Sequence, residues 1–498
     1  MSHHTRINAD NPIFDSSRTD EFADRLTSVL GHPPDLVDHS FVIQQPELEG
    51  RCLFLETLVD KNKIEDNVLR MFAEQPLSPP SSDGDSNVEE MVKRRIPVAT
   101  ISVAEDLATC TQRLLEGQCL LVIPGATHVL VLDVAKFQHR AVAEPKTETT
   151  VRGPQEALNE DAGISIGLIR KRIRTSDLCL EQQIIGTATE TKVIMLYMKS
   201  LAPEGIVNEF RSRIGKIHTD SILEGTYVEE WIQDKSMTIF PTMVRTERPD
   251  VAVSHLLEGR VAVMVDGSPL VLIGPFTFMQ SFTSPEDYYQ RADIATFLLW
   301  IRFLAFMLAV FVPALYIAVT SYHQGLLPPS LLISISAQRE GVPFPSFIEA
   351  FLMMTIFEVL REAGLRMPRV AGQAISIVGA LVLGEAAVTA GLVSAAMVIV
   401  VAITAIAHFV APFYNFGITQ RFLQYFYMIL AAVSGGFGIL CGVLFTLIHL
   451  ASLRSFGVPY LAPVAPTFVS DWKDVLVRVP RPSMTTFPRM NKTKRKKR

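Results

Sequence analysis

Residues 294–320 read IATFLLWIRFLAFMLAVFVPALYIAVT, and Arg302 is their only charged side chain. A helix that spans a membrane needs roughly 20 consecutive, predominantly apolar residues, and this run is longer than that. Trp300 and Tyr316 stand where aromatic side chains near the two membrane interfaces are expected. The stretch therefore predicts that the chain crosses a lipid bilayer.

The composition around this stretch extends the prediction over much of the C-terminal half. Neither lysine nor aspartate occurs between residues 294 and 467, whereas a soluble domain of that length would normally contain many of both. We expect an α-helical multi-span membrane domain at residues 292–464, followed by a basic cytoplasmic tail at 465–498. Its further candidate spans are residues 347–362, 374–390, 393–410 and 425–450.

The charges at the two ends of the chain constrain the number of crossings. The tail ends in NKTKRKKR, and the polar N-terminus lacks the apolar core of a secretory signal. The positive-inside rule then predicts that both ends lie on the cytoplasmic side, which requires an even number of crossings. With five candidates, either residues 347–362 are re-entrant or interfacial, or residues 425–450 form a hairpin at their glycines. Four and six crossings both stay open.

The N-terminal half shows an internal repeat. The segment EGQCLLVIPGATHVLVLDV at residues 116–134 has the same order of features as EGRVAVMVDGSPLVLIGPF at residues 258–276: Glu-Gly, an apolar strand, a turn and a second apolar strand. We therefore expect an α+β cytoplasmic region of two related α/β subdomains. Their predicted bounds are residues 36–148 and 149–291, with a disordered lead-in at 1–35.

Local patterns predict the remaining elements of this half. Residues 41–43 and 52–58 are expected to be strands, and residues 63–74, 159–174 and 202–223 to be helical. The basic run from Arg170 to Arg174 could contact anionic lipid or an acidic partner, but a run of charges is more often a solvated face. We expect the solvated face.

Several classes of function are disfavoured by the sequence. The net charge of −5 argues against nucleic-acid binding, and the five cysteines form no CxxC pair, so neither a zinc site nor a disulfide framework is indicated. Residues 163–167, GISIG, match GxSxG, but a nucleophile there needs a strand before the serine and a helix after it, and the surrounding sequence is helix-like. We expect no enzyme, no cofactor and no metal.

Ionisable residues inside the apolar segments are the candidate functional residues, because a charge at the centre of a membrane helix costs roughly 2.5 to 3.5 kcal/mol on translocon scales. Glu358, Arg361 and Glu362 share one arc of a helix, where an ion pair would reduce that cost. Glu349 and Glu385 lie further inside apolar sequence. All five could line an ion pathway or instead lie at an interface.

Six segments carry a resemblance to a known family. They are EGRVAVMVDGSP from Glu258, SPEDYYQR from Ser284, PFPSFIEA from Pro343, FEVLREAGLRMP from Phe357, SIVGALVLGEAAV from Ser376 and SFGVPYLAP from Ser455. Together they resemble the A subunit of GerA-family nutrient germinant receptors of endospore-forming bacteria. The resemblance covers residues 100–478.

The resemblance implies a protein of the inner spore membrane that works with a transporter-like B subunit, which binds the nutrient, and with a lipoprotein C subunit. It also implies a homo-oligomeric ring that passes ions. Within the family, a SpoVAF-type paralogue acting in dipicolinate or ion release is the alternative, and a secondary transporter or a non-conducting scaffold are alternatives outside it. Glu385 replaces a glutamine of the family pattern, and a ring of such carboxylates would favour cations.

The segment beginning at Ser284 precedes the first predicted span. Ser284 is expected to cap a short helix that has Pro285 at its first position. Because of where they lie, Pro285, Asp287 and Tyr288 are candidates for coupling the soluble region to the membrane. The alternative is that the segment only caps a helix.

Overall fold

The structure is a computed structural model that describes residues 19–43, 48–74, 92–93, 96–98, 100–124, 126–135, 145, 148, 152–234, 237–366, 384–491 and 493–495. The chain divides into two compact units. We call Met1–Gln233, Arg245–Gly274 and Asn491–Arg498 the N-terminal unit, and Asp234–Val244 with Pro275–Met490 the helical unit.

The N-terminal unit contains two five-stranded sheets with one topology. The first sheet has the order β1-β2-β4-β5-β3, and the second has the order β6-β7-β9-β10-β8, which is the same arrangement shifted by five strands. This repeat confirms the two related α/β subdomains. The strands of the first sheet are β1 (Leu36–Ile43), β2 (Leu48–Leu55), β3 (Ile101–Ala104), β4 (Cys119–Val122) and β5 (Val129–Leu132). Those of the second are β6 (Leu178–Ile185), β7 (Thr191–Met198), β8 (Val244–Thr246), β9 (Val261–Val265) and β10 (Val271–Gly274).

Helices cover the two sheets. In chain order they are α1 (Thr19–Leu30), α2 (Lys61–Ile64), α3 (Arg70–Glu74), α4 (Leu107–Leu115), α5 (Ala162–Arg170), α6 (Glu204–Ile214), α7 (Gly225–Ile232) and α8 (Pro249–Leu256). A π-helical segment, Glu65–Leu69, joins α2 to α3, so residues 61–74 are helical throughout, as predicted from residue 63 onward. Helices α5 and α6 correspond to the helices predicted at 159–174 and 202–223, but each is shorter than predicted.

The predicted hairpins are antiparallel in both subdomains, with Cys119 opposite Leu132 in the first and Val261 opposite Gly274 in the second. The repeated Glu-Gly pair has a structural reason. Gly117 and Gly259 have φ of 83° and 80°, and each follows a helix at the position where a left-handed residue ends it. The next residue donates its N–H five positions back in both cases, from Gln118 to Arg113 O and from Arg260 to His255 O.

The prediction of a disordered lead-in is wrong from Thr19 onward, where the chain forms helix α1. Helix α1 buries Phe22, Leu26 and Leu30, which are four positions apart and therefore share one face. These side chains join the hydrophobic core on one face of the first sheet, together with alternate residues of β4 and β5. The polar average of the segment concealed an apolar stripe that only a sheet surface could cover.

The basic run around Arg170 is also only partly solvated, which corrects the prediction for that residue. The Arg170 side chain is 2% exposed, and its Nε and Nη2 donate to the two carboxylate oxygens of Asp35, each at 2.8 Å. Thr57 Oγ1 donates to the same carboxylate at 2.8 Å. The pair joins the second subdomain's first helix to the start of the first sheet.

The helical unit contains α9 (Ala292–Ser321), α10 (Pro329–Arg339), α11 (Ser346–Arg366), α12 (Ala395–His408), α13 (Tyr414–Ser452) and α14 (Trp472–Val475). A two-stranded ribbon, β11 (Arg454–Ser455) and β12 (Val458–Pro459), follows α13. Within the described residues, α9 and α13 are long and apolar enough to cross a membrane, and α12 is apolar but shorter. The predicted span at 374–390 lies mostly outside the described residues; its end, residues 384–389, is helical.

Helix α13 is a hairpin rather than one straight helix. Gly435 has φ 62° and ψ −141°, which no α-helix contains. Tyr427 and Thr446 would be about 28 Å apart along a continuous helix, yet their hydroxyl oxygens are 2.9 Å apart. The chain therefore reverses at Gly435 into two arms, residues 414–434 and 436–452. The structure therefore contains the hairpin that was one of the two alternatives for these candidate spans, and the number of crossings stays a prediction.

Contacts between helix ends show how the bundle is arranged. Thr320 near the end of α9 bonds Ser346 at the start of α11 at 2.9 Å, and Tyr316 lies 3.3 Å from Ser394, the cap of α12. The break in α13 lies at this end as well, because Gly436 N donates to His323 Nε2 at 3.0 Å. We call it the apex of the bundle, and the opposite end, where α11 ends and α13 begins, its base.

Candidate functional site

The segment before α9 folds as the sequence predicts. Residues Pro285–Tyr288 form a short 3₁₀ helix capped by Ser284, whose N–H donates to the carboxylate of Asp287 at 2.9 Å while its side chain accepts from the Asp287 backbone. Pro285 occupies the first position, where a missing N–H costs nothing. The reciprocal cap fixes the Asp287 carboxylate in place.

The Asp287 carboxylate also neutralises the only charge in residues 294–320. Arg302 Nη1 donates to its two oxygens at 2.9 and 2.7 Å and to Phe282 O at 3.2 Å, and both side chains are largely buried. The sequence indicates Asp287 as a candidate coupling residue, but it does not indicate that Arg302 is its partner. An arginine within a helix rich in apolar residues, with an acidic turn shortly before it, is the signal that could have revealed the pair.

The ring of Tyr288 contacts two guanidinium groups, with Arg478 Cζ 5.2 Å and Arg481 Cζ 5.4 Å from its centroid. Such contacts are cation–π interactions. The same C-terminal segment contacts the first turns of α9, where Trp300 Nε1 donates to Leu476 O at 3.1 Å. Tyr288 thus holds residues 476–481 against the start of α9.

A cluster of aromatic rings lies beneath this turn. Phe282 packs edge-on against Phe306 of α9 and Phe416 of α13, with centroids 5.4 and 5.1 Å away, while Phe306 and Phe416 stack at 5.3 Å. Phe278 contacts the same three rings. The aromatic cluster therefore connects the segment before this turn to two helices of the bundle, α9 and α13.

Glu349 is fully buried at the apex. Its Oε1 accepts from the N–H and the hydroxyl of Ser394, both at 2.6 Å, while Oε2 lies 3.9 Å from Arg339 Nε. Glu349 thereby links α11 to the start of α12. Within the part of the chain that the structure describes, neither Oε2 of Glu349 nor Nε of Arg339 has a hydrogen-bond partner.

The three charged residues predicted on one arc of α11 belong to two different ion pairs. Glu358 pairs with Arg361, as predicted, and also lies 3.7 Å from Arg421 of α13. Glu362 pairs instead with Arg366, at 2.8 Å, on the exposed face. Arg421 was missed, because nothing in the local sequence connects it to α11.

Glu385 lies in the helical residues 384–389, and its side chain is exposed in the single chain. Its backbone carbonyl accepts from Thr389 Oγ1 at 2.8 Å, and the structure does not bring its carboxylate into the Glu358 cluster. Among the described residues no group of three or more His, Cys, Asp and Glu side chains could hold a metal ion.

Two features of the N-terminal unit complete the set of candidates. A cavity of about 470 Å³ lies between its subdomains, lined by acidic and basic side chains that include Asp35, Lys61, Asp161 and Lys171. Elsewhere, burial raises the pKa of Glu148 to about 7, although Thr246 Oγ1 donates to its carboxylate at 2.6 Å. Ser165 of the GISIG motif lies within α5, where its hydroxyl donates to Asn159 O at 2.9 Å.

The chain is similar to known spore germination proteins over nearly its whole length. The profile of the family described as "Bacillus/Clostridium GerA spore germination protein" matches residues 24–490. Spore germination protein KA of Bacillus subtilis (strain 168) is 40% identical, covering 91% of this chain and 82% of that protein. Spore germination protein GerLA of Bacillus cereus is 35% identical, covering 95% and 96%.

Two further similarities complete the comparison. The uncharacterized membrane protein YfkQ of Bacillus subtilis (strain 168) is 38% identical, covering 97% of this chain and 92% of that protein. The crystal structure of the N-terminal domain of the A subunit of the Bacillus megaterium spore germinant receptor GerK3 is 32% identical, covering 51% of this chain and 94% of that chain, with a TM-score of 0.41. On the profile match and the identity to full-length relatives, the chain belongs to the GerA family of spore germination proteins.

Proposed function

We propose that the chain is a non-enzymatic membrane subunit of a spore germinant receptor, which assembles with B and C subunits and with copies of itself into a ligand-gated ion pathway for nutrient-triggered germination. The names of its relatives, spore germination proteins, support the germination role. The observation that carries the membrane part of the proposal is the helical bundle with its hairpin.

We count six crossings in the proposed membrane domain. Helices α9, α11 and α12 and the two arms of α13 are five legs, and each runs between the apex and the base. The chain leaves the apex along α11 and is beside it again at Gly391, which lies next to Gly341 O in the loop that precedes α11. We therefore propose one further crossing between these two described points. Six is even, so the N-terminal unit and the basic tail share the cytoplasmic side, which faces the spore core in the inner spore membrane.

Exposed apolar side chains along α13 support both lipid contact and self-association. Val433, Phe437, Phe445 and Ile448 are each more than 60% exposed in the single chain. A group of exposed apolar side chains on a protein surface is typical of a protein interface or a membrane-contacting surface. In the proposed ring they meet lipid or a neighbouring copy.

The ion pathway is assigned to the exposed carboxylate of Glu385. A ring of such carboxylates, one from each copy, would concentrate cations at a constriction. Glu349 is given a structural role instead, because two donors from Ser394 already occupy one of its oxygens. Coupling is assigned to Asp287, Tyr288 and Pro285, since their turn contacts α9 through Arg302.

A planar-bilayer recording of the purified full-length chain tests this proposal. We expect a cation-selective conductance that loses selectivity in Glu385→Gln and keeps it in Glu340→Gln, which removes an exposed carboxylate near the apex. If neither the unmodified chain nor the variants conduct, the ion pathway is refuted and the non-conducting scaffold remains. If alkaline extraction removes the chain from membranes, the six crossings are refuted too.

A further inference from the structure

Three charged side chains meet where α11 approaches the first arm of α13. The carboxylate of Glu358 pairs with the guanidinium of Arg361 and lies 3.7 Å from that of Arg421. One negative charge thus faces two positive charges, so the cluster has an excess of one positive charge. An uncompensated charge inside an apolar bundle is costly and calls for a partner.

Among the described residues, no second carboxylate pairs with Arg361 or Arg421. Glu362, the nearest further carboxylate along α11, is already paired with Arg366. Residues 367–383, which continue from α11, contain no aspartate and no glutamate. The other polar groups beside the cluster are neutral: the Tyr414 hydroxyl interacts with the Arg421 guanidinium, and Gln424 Oε1 lies 2.7 Å from His408 Nε2.

Each of the two arginines has one hydrogen-bond donor that is unpaired among the described residues. The Nε atoms of Arg361 and Arg421 are buried and have no hydrogen-bond partner among the described residues. A buried N–H without an acceptor is energetically costly, so an acceptor from outside the chain would stabilise both arginines.

We propose that Arg361 and Arg421 bind the phosphodiester of a phospholipid headgroup from the cytoplasmic leaflet. This inference rests on the proposed membrane topology. A phosphodiester has one negative charge, which matches the excess of the cluster, and its oxygens suit the planar donor pattern of guanidinium groups. Free inorganic phosphate shares this chemistry, so the experiment must separate the two.

The depth of the cluster fits a headgroup drawn slightly inward. Arg421 lies 14 positions before the break at Gly435, which is about 21 Å along a helix, so in a hydrocarbon layer of about 30 Å it falls in the third nearest the base. Long arginine side chains reach the remaining distance by extending toward the interface. Tyr414, half-exposed one to two turns nearer the base, is an aromatic residue of the kind found at that interface.

Native mass spectrometry of the full-length chain in detergent, titrated with phosphatidylglycerol, tests the proposal. We expect Arg361→Gln and Arg421→Gln each to weaken retention of the lipid about tenfold, the lower end of what a lost charge-assisted hydrogen bond contributes. Glu358→Gln removes the competing carboxylate and should tighten it. Arg366→Gln, whose guanidinium is exposed and paired with Glu362, is the matched control and should match the unmodified chain.

Two further arms separate the sources of the phosphate. Diacylglycerol, which lacks the phosphate, should not be retained, and inorganic phosphate at equal concentration should not displace phosphatidylglycerol. Displacement by inorganic phosphate would overturn the assignment to lipid. Retention of phosphatidylglycerol within twofold of the unmodified chain in both arginine variants would overturn the site itself.

The variants must also be shown to fold, and the proposed function must be judged separately. Arg361→Lys and Arg421→Lys keep the charge while removing the guanidinium, so partial recovery of lipid retention in them excludes misfolding as the cause. Resistance of the chain to alkaline extraction reports the membrane topology independently of lipid retention. A chain that stays in the membrane but retains no lipid refutes only this inference.

Discussion

Replacement of Asp287 by asparagine should uncouple the turn before α9 from the helical bundle. Arg302 Nη1 donates to both oxygens of Asp287 and to Phe282 O, so the variant leaves a largely buried guanidinium with one carbonyl and one amide oxygen as acceptors. Removing one partner of a buried ion pair costs about 3–5 kcal/mol, because the other charge stays buried without compensation. Arg302→Met should cost less, since Asp287 keeps the N–H of Ser284.

A double-mutant cycle isolates the pair from the general effect of each substitution. Denaturant unfolding of the full-length chain in detergent would be measured for Asp287→Asn, Arg302→Met and the double variant. We expect the double variant to be more stable than the sum of the single effects by about 2 kcal/mol, the range found for contacting charged residues. If the two effects add within about 0.5 kcal/mol, the ion pair does not hold the turn against α9.

Three other variants follow from buried or strained positions. Burial raises the pKa of Glu148 from 4.5 to about 7. Its protonated carboxyl therefore stabilises the fold below pH 4.5, and this contribution, about 3 kcal/mol in total, is lost as the pH rises through 7. Glu148→Gln should raise the denaturation midpoint at pH 8 and not at pH 4.5. Asp35→Asn should lower the free energy of unfolding of the N-terminal unit by about 3 kcal/mol by leaving Arg170 buried and uncompensated, and an unchanged urea midpoint would contradict this. Gly435→Ala should cost at least about 2 kcal/mol, from the positive φ and from a Cβ placed 2.8 Å from Tyr322 Cβ, whereas Gly325→Ala, with nothing within 4 Å, should be neutral in the same unfolding assay.

The two hairpins and half of the helices of the N-terminal unit could be predicted from the sequence, because their signals are local, whereas strands β3, β6, β7 and β8 were not predicted. The apolar runs that became β4, β5, β9 and β10 are bounded by turn residues, and the Glu-Gly pair marks the end of the preceding helix in each subdomain. Repetition of the pattern is sufficient to predict that the N-terminal unit contains two related subdomains. Helix α1 was missed because its apolar residues are few and gain stability only against a sheet formed by later residues.

Charged residues were harder to place, because their partners lie far away in the sequence. Arg170 belongs to a basic run that indicates a solvated face, yet Asp35, 135 positions earlier, buries it. Arg421 meets Glu358 across two helices in the same way. Pairs three or four positions apart on one helix, such as Glu358 with Arg361, could be predicted, since helical geometry alone brings them together.

The hairpin in α13 shows where a local signal is necessary but insufficient. Glycines at 435, 436 and 438 indicate a break, but a break alone fits a kink, a re-entrant segment or a reversal. The reversal is decided by groups outside the helix: Tyr322 OH donates to the carbonyls of Ala432 and Val433 at 2.6 and 3.1 Å, and His323 Nε2 accepts from Gly436 N. These bonds satisfy backbone groups that the break exposes, and lipid could not satisfy them. The proposed even number of crossings therefore depends on two side chains at the end of α9. The charges at the ends of the chain predict an even number but do not indicate how the chain reverses.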